Sequence, residues 1–174
     1  LELYLRLLES GLKAENIIFG SDSSGSALAL ALILLLKQEK QSLPKAAFLF
    51  SPMLDFSISG ESVTKNKDLD PKIFKEDLEL TSKYYCDKKS VKDPLVSPVY
   101  GDFTDFPPLF IQVGSEELLL SDSLTLEKRV KNAGVSVKLE VWEGMWHVFQ
   151  TRCESIPEAD QAVTNAVDFI NSSV

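Results

Sequence analysis

The residues best suited to chemistry begin with Ser21-Asp22-Ser23-Ser24-Gly25, a small polar stretch between the apolar run 17–19 and the longer one at 27–36. A serine hydroxyl is a weak nucleophile until a neighbouring base takes its proton. A sharp strand-to-helix turn can lift Ser23 above a sheet, provided the residues two positions to either side are small enough for strand and helix to cross closely. Gly25 meets that need downstream. Upstream stands Ser21, small but carrying a Cβ, with Gly20 one position off. A serine-rich turn has a second reading, in which Asp22 or Ser23 is an N-cap of the following helix. The base would be His147, the only histidine of the chain, in Gly144-Met145-Trp146-His147-Val148-Phe149. An orienting carboxylate must accept the imidazole Nδ1–H, and Glu116, Glu117 and Asp122 are the candidates. Asp122 also suits the first turn of a helix, where the dipole favours a carboxylate, and Glu116 suits solvent.

These groups can meet only if the intervening elements bring them to one place. Residues 1–9 read as an amphipathic helix stopped by Gly11, and 17–19 as a short buried strand. The apolar residues 27–36 read as a buried helix running to about 37–40. Strands follow at 46–50, closed by Ser51-Pro52, at 108–113 and at 135–142. Helices follow at 71–86, with Pro71 in its first turn, at 122–132, stopped by Gly134, and at 159–170. Strands alternating with helices predict an α/β fold with a mostly parallel sheet of about four strands, helices on both faces and one exposed sheet edge. Residues 55–105 are polar and lack strand periodicity, which predicts a lid-like insertion over the carboxyl edge of the sheet. Ser23 and His147 each follow a strand at that edge, where chemistry gathers in open α/β sheets.

The chain of 174 residues fits one domain spanning 1–174. Its net charge of −8 argues against nucleic acid or an anionic membrane as the main partner. The longest apolar run is too short for a stable membrane span, which takes about 20 residues. Cys86 and Cys153 stand in no metal or redox spacing and are expected to be free thiols. Nothing requires a secreted compartment, so a cytoplasmic location is expected, and Asn171-Ser172-Ser173 is read as an incidental sequon. The chain opens on Leu1 in what reads as mid-helix, and the natural protein is expected to extend upstream.

Several motifs together resemble the hormone-sensitive-lipase-like (bacterial esterase) branch of the α/β-hydrolases. Asp22-Ser23-Ser24-Gly25 is similar to the family's Gly-Asp-Ser-Ala-Gly turn, with Ser21 in place of the first glycine. Ser51-Pro52 with Leu54-Asp55, Ser59-Gly60-Glu61-Ser62, Asp93-Pro94-Leu95-Val96-Ser97-Pro98 and Pro107-Pro108-Leu109 resemble further landmarks. So do Gln112-Val113-Gly114-Ser115-Glu116-Glu117, Leu119-Leu120 and Val141-Trp142-Glu143-Gly144-Met145-Trp146-His147-Val148-Phe149. The resemblance covers almost the whole chain and implies the C-terminal part of an α/β-hydrolase fold. The order serine, acid, histidine along the chain is the order of that fold.

The resemblance implies a serine carboxylesterase, lipase-like, acting through an acyl-enzyme on small-molecule esters of short to medium acyl chain, with no metal or organic cofactor. The family's acid lies on the loop that carries Glu117, and Gly114-Ser115-Glu116-Glu117 resembles the subgroup with glutamate there. Glu117 is therefore the expected acid and Asp122 the fallback. The family's His-Gly-Gly-Gly loop, which supplies oxyanion amides, lies upstream of the serine turn and is not in this chain. The backbone N–H of Ser24 is left as the oxyanion donor, and losing one such donor costs roughly two to three orders of magnitude in rate. Two readings compete: an inactive fragment or pseudoenzyme, and a non-catalytic ligand receptor on the same fold. Retention of His147 argues against the receptor. The sequence leaves oligomerisation possible.

Overall fold

The structure of the protein, a computed structural model, describes residues 1–86 and 90–173. Strands β1 (Ile18–Asp22), β2 (Ala46–Phe50), β3 (Leu109–Gly114) and β4 (Val137–Trp142) form one sheet in that spatial order, every neighbouring pair parallel. Parallel neighbours need long crossovers. These contain α2 (Gly25–Gln38) between β1 and β2, α3 (Ser62–Lys65) and α4 (Lys75–Cys86) between β2 and β3, and α5 (Leu120–Asn132) between β3 and β4. Helix α1 (Glu2–Glu9) precedes the sheet and α6 (Pro157–Ser173) follows it.

Alternation along the strands divides the sheet's side chains between two helical layers. Ala47, Leu49, Leu109 and Ile111 pack with Leu30, Ile33 and Leu34 of α2 and Leu126 and Val130 of α5 in the main core. On the other face the Phe110 ring lies 5.3 Å from that of Phe169 in α6. There Gln112, buried in mid-strand, donates to Glu140 and to the Ala162 carbonyl, both at 2.8 Å. Asn165 of α6 also donates to Glu140, at 3.0 Å. These bonds satisfy polar groups that would otherwise be costly to bury and fix α6 in register on the sheet.

Some boundaries differ from the sequence reading, each for a local reason. Strand β1 runs on to Asp22 and is half-exposed rather than buried, because among the described residues it pairs with β2 alone. Helix α2 is not buried all round, with Leu28 59% exposed. Helix α4 begins at Lys75, not Pro71: the Asp77 carboxylate accepts from the Phe74 N–H at 3.0 Å and so marks the helix start. Helix α5 begins at Leu120, two residues before Asp122, and β4 begins at Val137. Helix α6 begins at Pro157, where a missing N–H is harmless.

Among the described residues of 55–105 there is no strand, and residues 87–89 lie outside the description. Phe56, Val63, Leu78 and Val96 form a second core with Ala27 of α2 and Leu118 and Leu119 of the β3–α5 loop. Asn66 donates to the Ser115 and Glu117 carbonyls, both at 2.9 Å. The first half of the segment is thereby seated beside the carboxyl end of β3. Cys86 and Cys153 are free thiols, and no helix among the described residues is long and apolar enough to cross a membrane.

Candidate active site

Ser23 leaves β1 with φ +48°, in the left-handed region. That conformation costs a residue with a Cβ about 1–2 kcal/mol, and hydrogen bonds on both sides hold it. The Ser23 N–H donates to Phe50 O at 3.0 Å, and its carbonyl accepts from Met53 N–H at 3.0 Å and Ser26 N–H at 3.1 Å. Helix α2 then starts behind Ser24, its N-cap, with no side-chain capping bond. Neither Asp22 nor Ser23 caps the helix, and the Ser23 hydroxyl is left for another partner.

The glycines act differently from their sequence assignment. A Cβ at Gly25 would meet only the Ser21 Cβ, at 3.9 Å, an ordinary contact, so close crossing does not demand glycine there. Gly20 instead makes room for Phe48, whose ring lies 2.3 Å from where a Cβ would sit. Ser21 spends its hydroxyl on Ser26, at 3.1 Å.

After β4 the chain turns through Gly144, at φ +70°, and returns to the end of β3, where His147 is 7% exposed. Its Nε2 lies 3.0 Å from Ser23 Oγ, and its Nδ1 lies 3.2 Å from Glu117 Oε2. An ionised carboxylate can only accept, so facing one the ring would carry its proton on Nδ1 and present Nε2 as acceptor to the serine hydroxyl. Glu117 is fully buried. Its second oxygen, Oε1, accepts from Gly114 N–H and Ser51 Oγ, both at 2.6 Å. The three side chains thus form one hydrogen-bonded series across residues 23, 147 and 117. Ser24 is exposed at the amino end of α2, where backbone N–H groups lack helical partners.

The other two carboxylates go elsewhere. Glu116 is half-buried, and its backbone N–H donates to Met145 O at 3.1 Å. Asp122 sits in the first turn of α5, but its Oδ2 turns to Leu54 N–H at 2.7 Å and Asp55 N–H at 2.9 Å. Sequence reasoning placed Ser51 and Asn66 in no role at this site. For Ser51 the signal available was its place directly after β2, at the same sheet edge as Ser23.

Burial raises the Asp122 carboxyl to about 7; the two N–H donors oppose this, and the Asp55 charge adds to it. Burial also pushes Asp55 upward, but bonds from Ser57, Ser59 and Tyr100 outweigh it and bring that group below its ordinary range. Between about pH 4 and 7 the folded chain therefore keeps a proton on Asp122 that the unfolded chain releases. Stability should fall as pH rises through that window, with a slope of at most about 1.4 kcal/mol per pH unit from this group. In Asp122→Asn that slope should vanish, as read from urea unfolding across the window. The same slope in both proteins would contradict the assignment.

The sequence profile of the α/β hydrolase fold matches residues 2–151, and the chain belongs to that family. An esterase of Acinetobacter venetianus is 38% identical over 98% of the chain, and an acetyl-hydrolase of Streptomyces hygroscopicus 35% identical over 98%. The chain spans 57% of the length of each of these relatives. Among solved structures, an esterase of the bacterial hormone-sensitive lipase family superposes with a TM-score of 0.95 at 38% identity, over 98% of this chain and 57% of that one. An esterase/lipase from an uncultured bacterium gives 0.93 at 29% identity, with coverage of 98% and 57%.

Proposed function

We propose that this chain carries the catalytic triad of a serine esterase, with Ser23 as nucleophile, His147 as base and Glu117 as orienting acid. The observation that carries the reading is the unbroken series Ser23 Oγ, His147 Nε2, His147 Nδ1 and Glu117 Oε2, with steps of 3.0 and 3.2 Å on either side of the ring. His147 takes the Ser23 proton as Oγ attacks the ester carbonyl. Glu117 stabilises the imidazolium that forms, and the Ser24 N–H donates to the developing oxyanion. Collapse expels the alcohol, which takes the proton from His147. Water, activated by the same base, then hydrolyses the acyl-enzyme. No metal or organic cofactor enters these steps.

The names of the relatives support a carboxylic ester as substrate. The segment 55–105 is read as a lid over the site, supported by the Asn66 bonds to the Ser115 and Glu117 carbonyls beside the carboxyl end of β3. A fluorophosphonate probe tests the reading, because it needs an activated serine but no physiological substrate. We expect covalent labelling of the Ser23 peptide, located by mass spectrometry, and none in His147→Ala. An unlabelled parent protein would favour the inactive-fragment, pseudoenzyme or receptor readings on the same fold.

A further inference from the structure

We infer that Ser51 is a positioning residue of this site, its hydroxyl tying the acid to the backbone that carries the histidine. The inference rests on the triad reading above but on different atoms. Ser51 is fully buried and directly follows β2, at φ +48°. Its backbone is fixed by an N–H bond to Gln112 O at 2.7 Å, so the side chain leaves from a defined point between β2 and β3. From there Oγ donates to Glu117 Oε1 at 2.6 Å and accepts from Val148 N–H at 2.9 Å. A hydroxyl has one proton to give and lone pairs to receive, and both capacities are used on the two loops that must agree.

Val148 shows why the second bond matters. It follows His147 directly and is left-handed, at φ 52° and ψ 42°, a conformation that a β-branched residue adopts only under constraint. The Ser51 oxygen supplies a constraint at its N–H, and the direction of the preceding residue follows from it. The first bond acts on the other partner. With Gly114 N–H, Ser51 holds Oε1 so that Oε2 is the oxygen left to face the imidazole. Acid and base are thus tied together by one side chain whose hydroxyl bonds to Glu117 and to the Val148 N–H rather than to Ser23.

Ser51→Gly tests this, since glycine tolerates the positive φ and removes only the hydroxymethyl. We expect kcat for an activated ester to fall about 10- to 100-fold, the range for a buried hydrogen bond to a charged group, with KM within about twofold. Fluorophosphonate should still label one serine per chain, but more slowly. Labelling at the parent rate, or a loss wholly explained by a smaller labelled fraction, would overturn the inference. Ser51→Ala serves if the glycine variant does not fold. Should the parent label nowhere, the esterase reading fails by itself. The Nδ1 proton of His147, the only histidine signal in the NMR spectrum, still judges Ser51: it should broaden through faster exchange in Ser51→Gly, and an unchanged signal counts against the inference.

Discussion

On the triad proposed above, Ser23→Ala is expected to lower kcat for ester hydrolysis by on the order of a million-fold, the scale seen when a triad nucleophile is removed. The fold should survive. Ser23 is half-buried, belongs to none of the hydrophobic core clusters and is held by its backbone bonds to Phe50 and Met53, which alanine keeps. Removing His147 as well should add little, because the two groups act as one unit and the second loss falls on machinery already idle. Glu117→Gln should cost less, on the order of ten-thousand-fold, since an amide can present its N–H to Nδ1 and favour the wrong tautomer. Steady-state rates and a single-turnover measurement on all four proteins would check the ranking. Residual activity in Ser23→Ala within about tenfold of the parent would remove Ser23 as nucleophile.

Gly114→Ala should do damage of a different kind. A Cβ at Gly114 would lie 2.1 Å from Met145 O, 2.4 Å from Met145 C and 2.9 Å from Trp146 N. All three are backbone atoms of the loop that delivers His147, so no side chain can rotate out of the way. The loop must move, and it carries with it the Glu116 N–H bond to Met145 O. Overpacking of this kind costs about 1–3 kcal/mol of stability. A displacement of about 1 Å at the imidazole would cost roughly 100-fold in rate. Urea unfolding and the rate of fluorophosphonate labelling read the two effects separately. A variant with the parent's stability and labelling rate would show that the loop has slack the structure does not reveal.

The sequence by itself determined the succession of elements and the chemistry they could hold. The small polar turn between two apolar runs, the lone His147 after the last strand and the acidic residues after the third were legible because each is a local pattern. Periodicity and turn residues act over a few neighbours. The parallel sheet followed from strand–helix alternation for the same reason, since parallel neighbours need a crossover of the length a helix provides.

What the tertiary structure decided was which of the possible partners meet. Glu117 and Asp122 are both buried carboxylates on the stretch after β3; their residue chemistry leaves both open, and only the resemblance of Gly114-Ser115-Glu116-Glu117 favours Glu117. The choice is made by distant segments: residues 144–148 return to the end of β3 over Glu117, while the backbone of Leu54 and Asp55 occupies Asp122. Ser51 reads in sequence as the end of a strand, and only the approach of residues 117 and 148, which are 66 and 97 positions away, gives its hydroxyl two partners. The half-exposed state of β1 and the start of α4 at Lys75 also escaped the pattern. The first depends on which strands lie alongside, and the second on a side chain folding back to a single N–H. Hydrogen bonds between segments far apart in sequence are set by packing, and local periodicity carries no record of them.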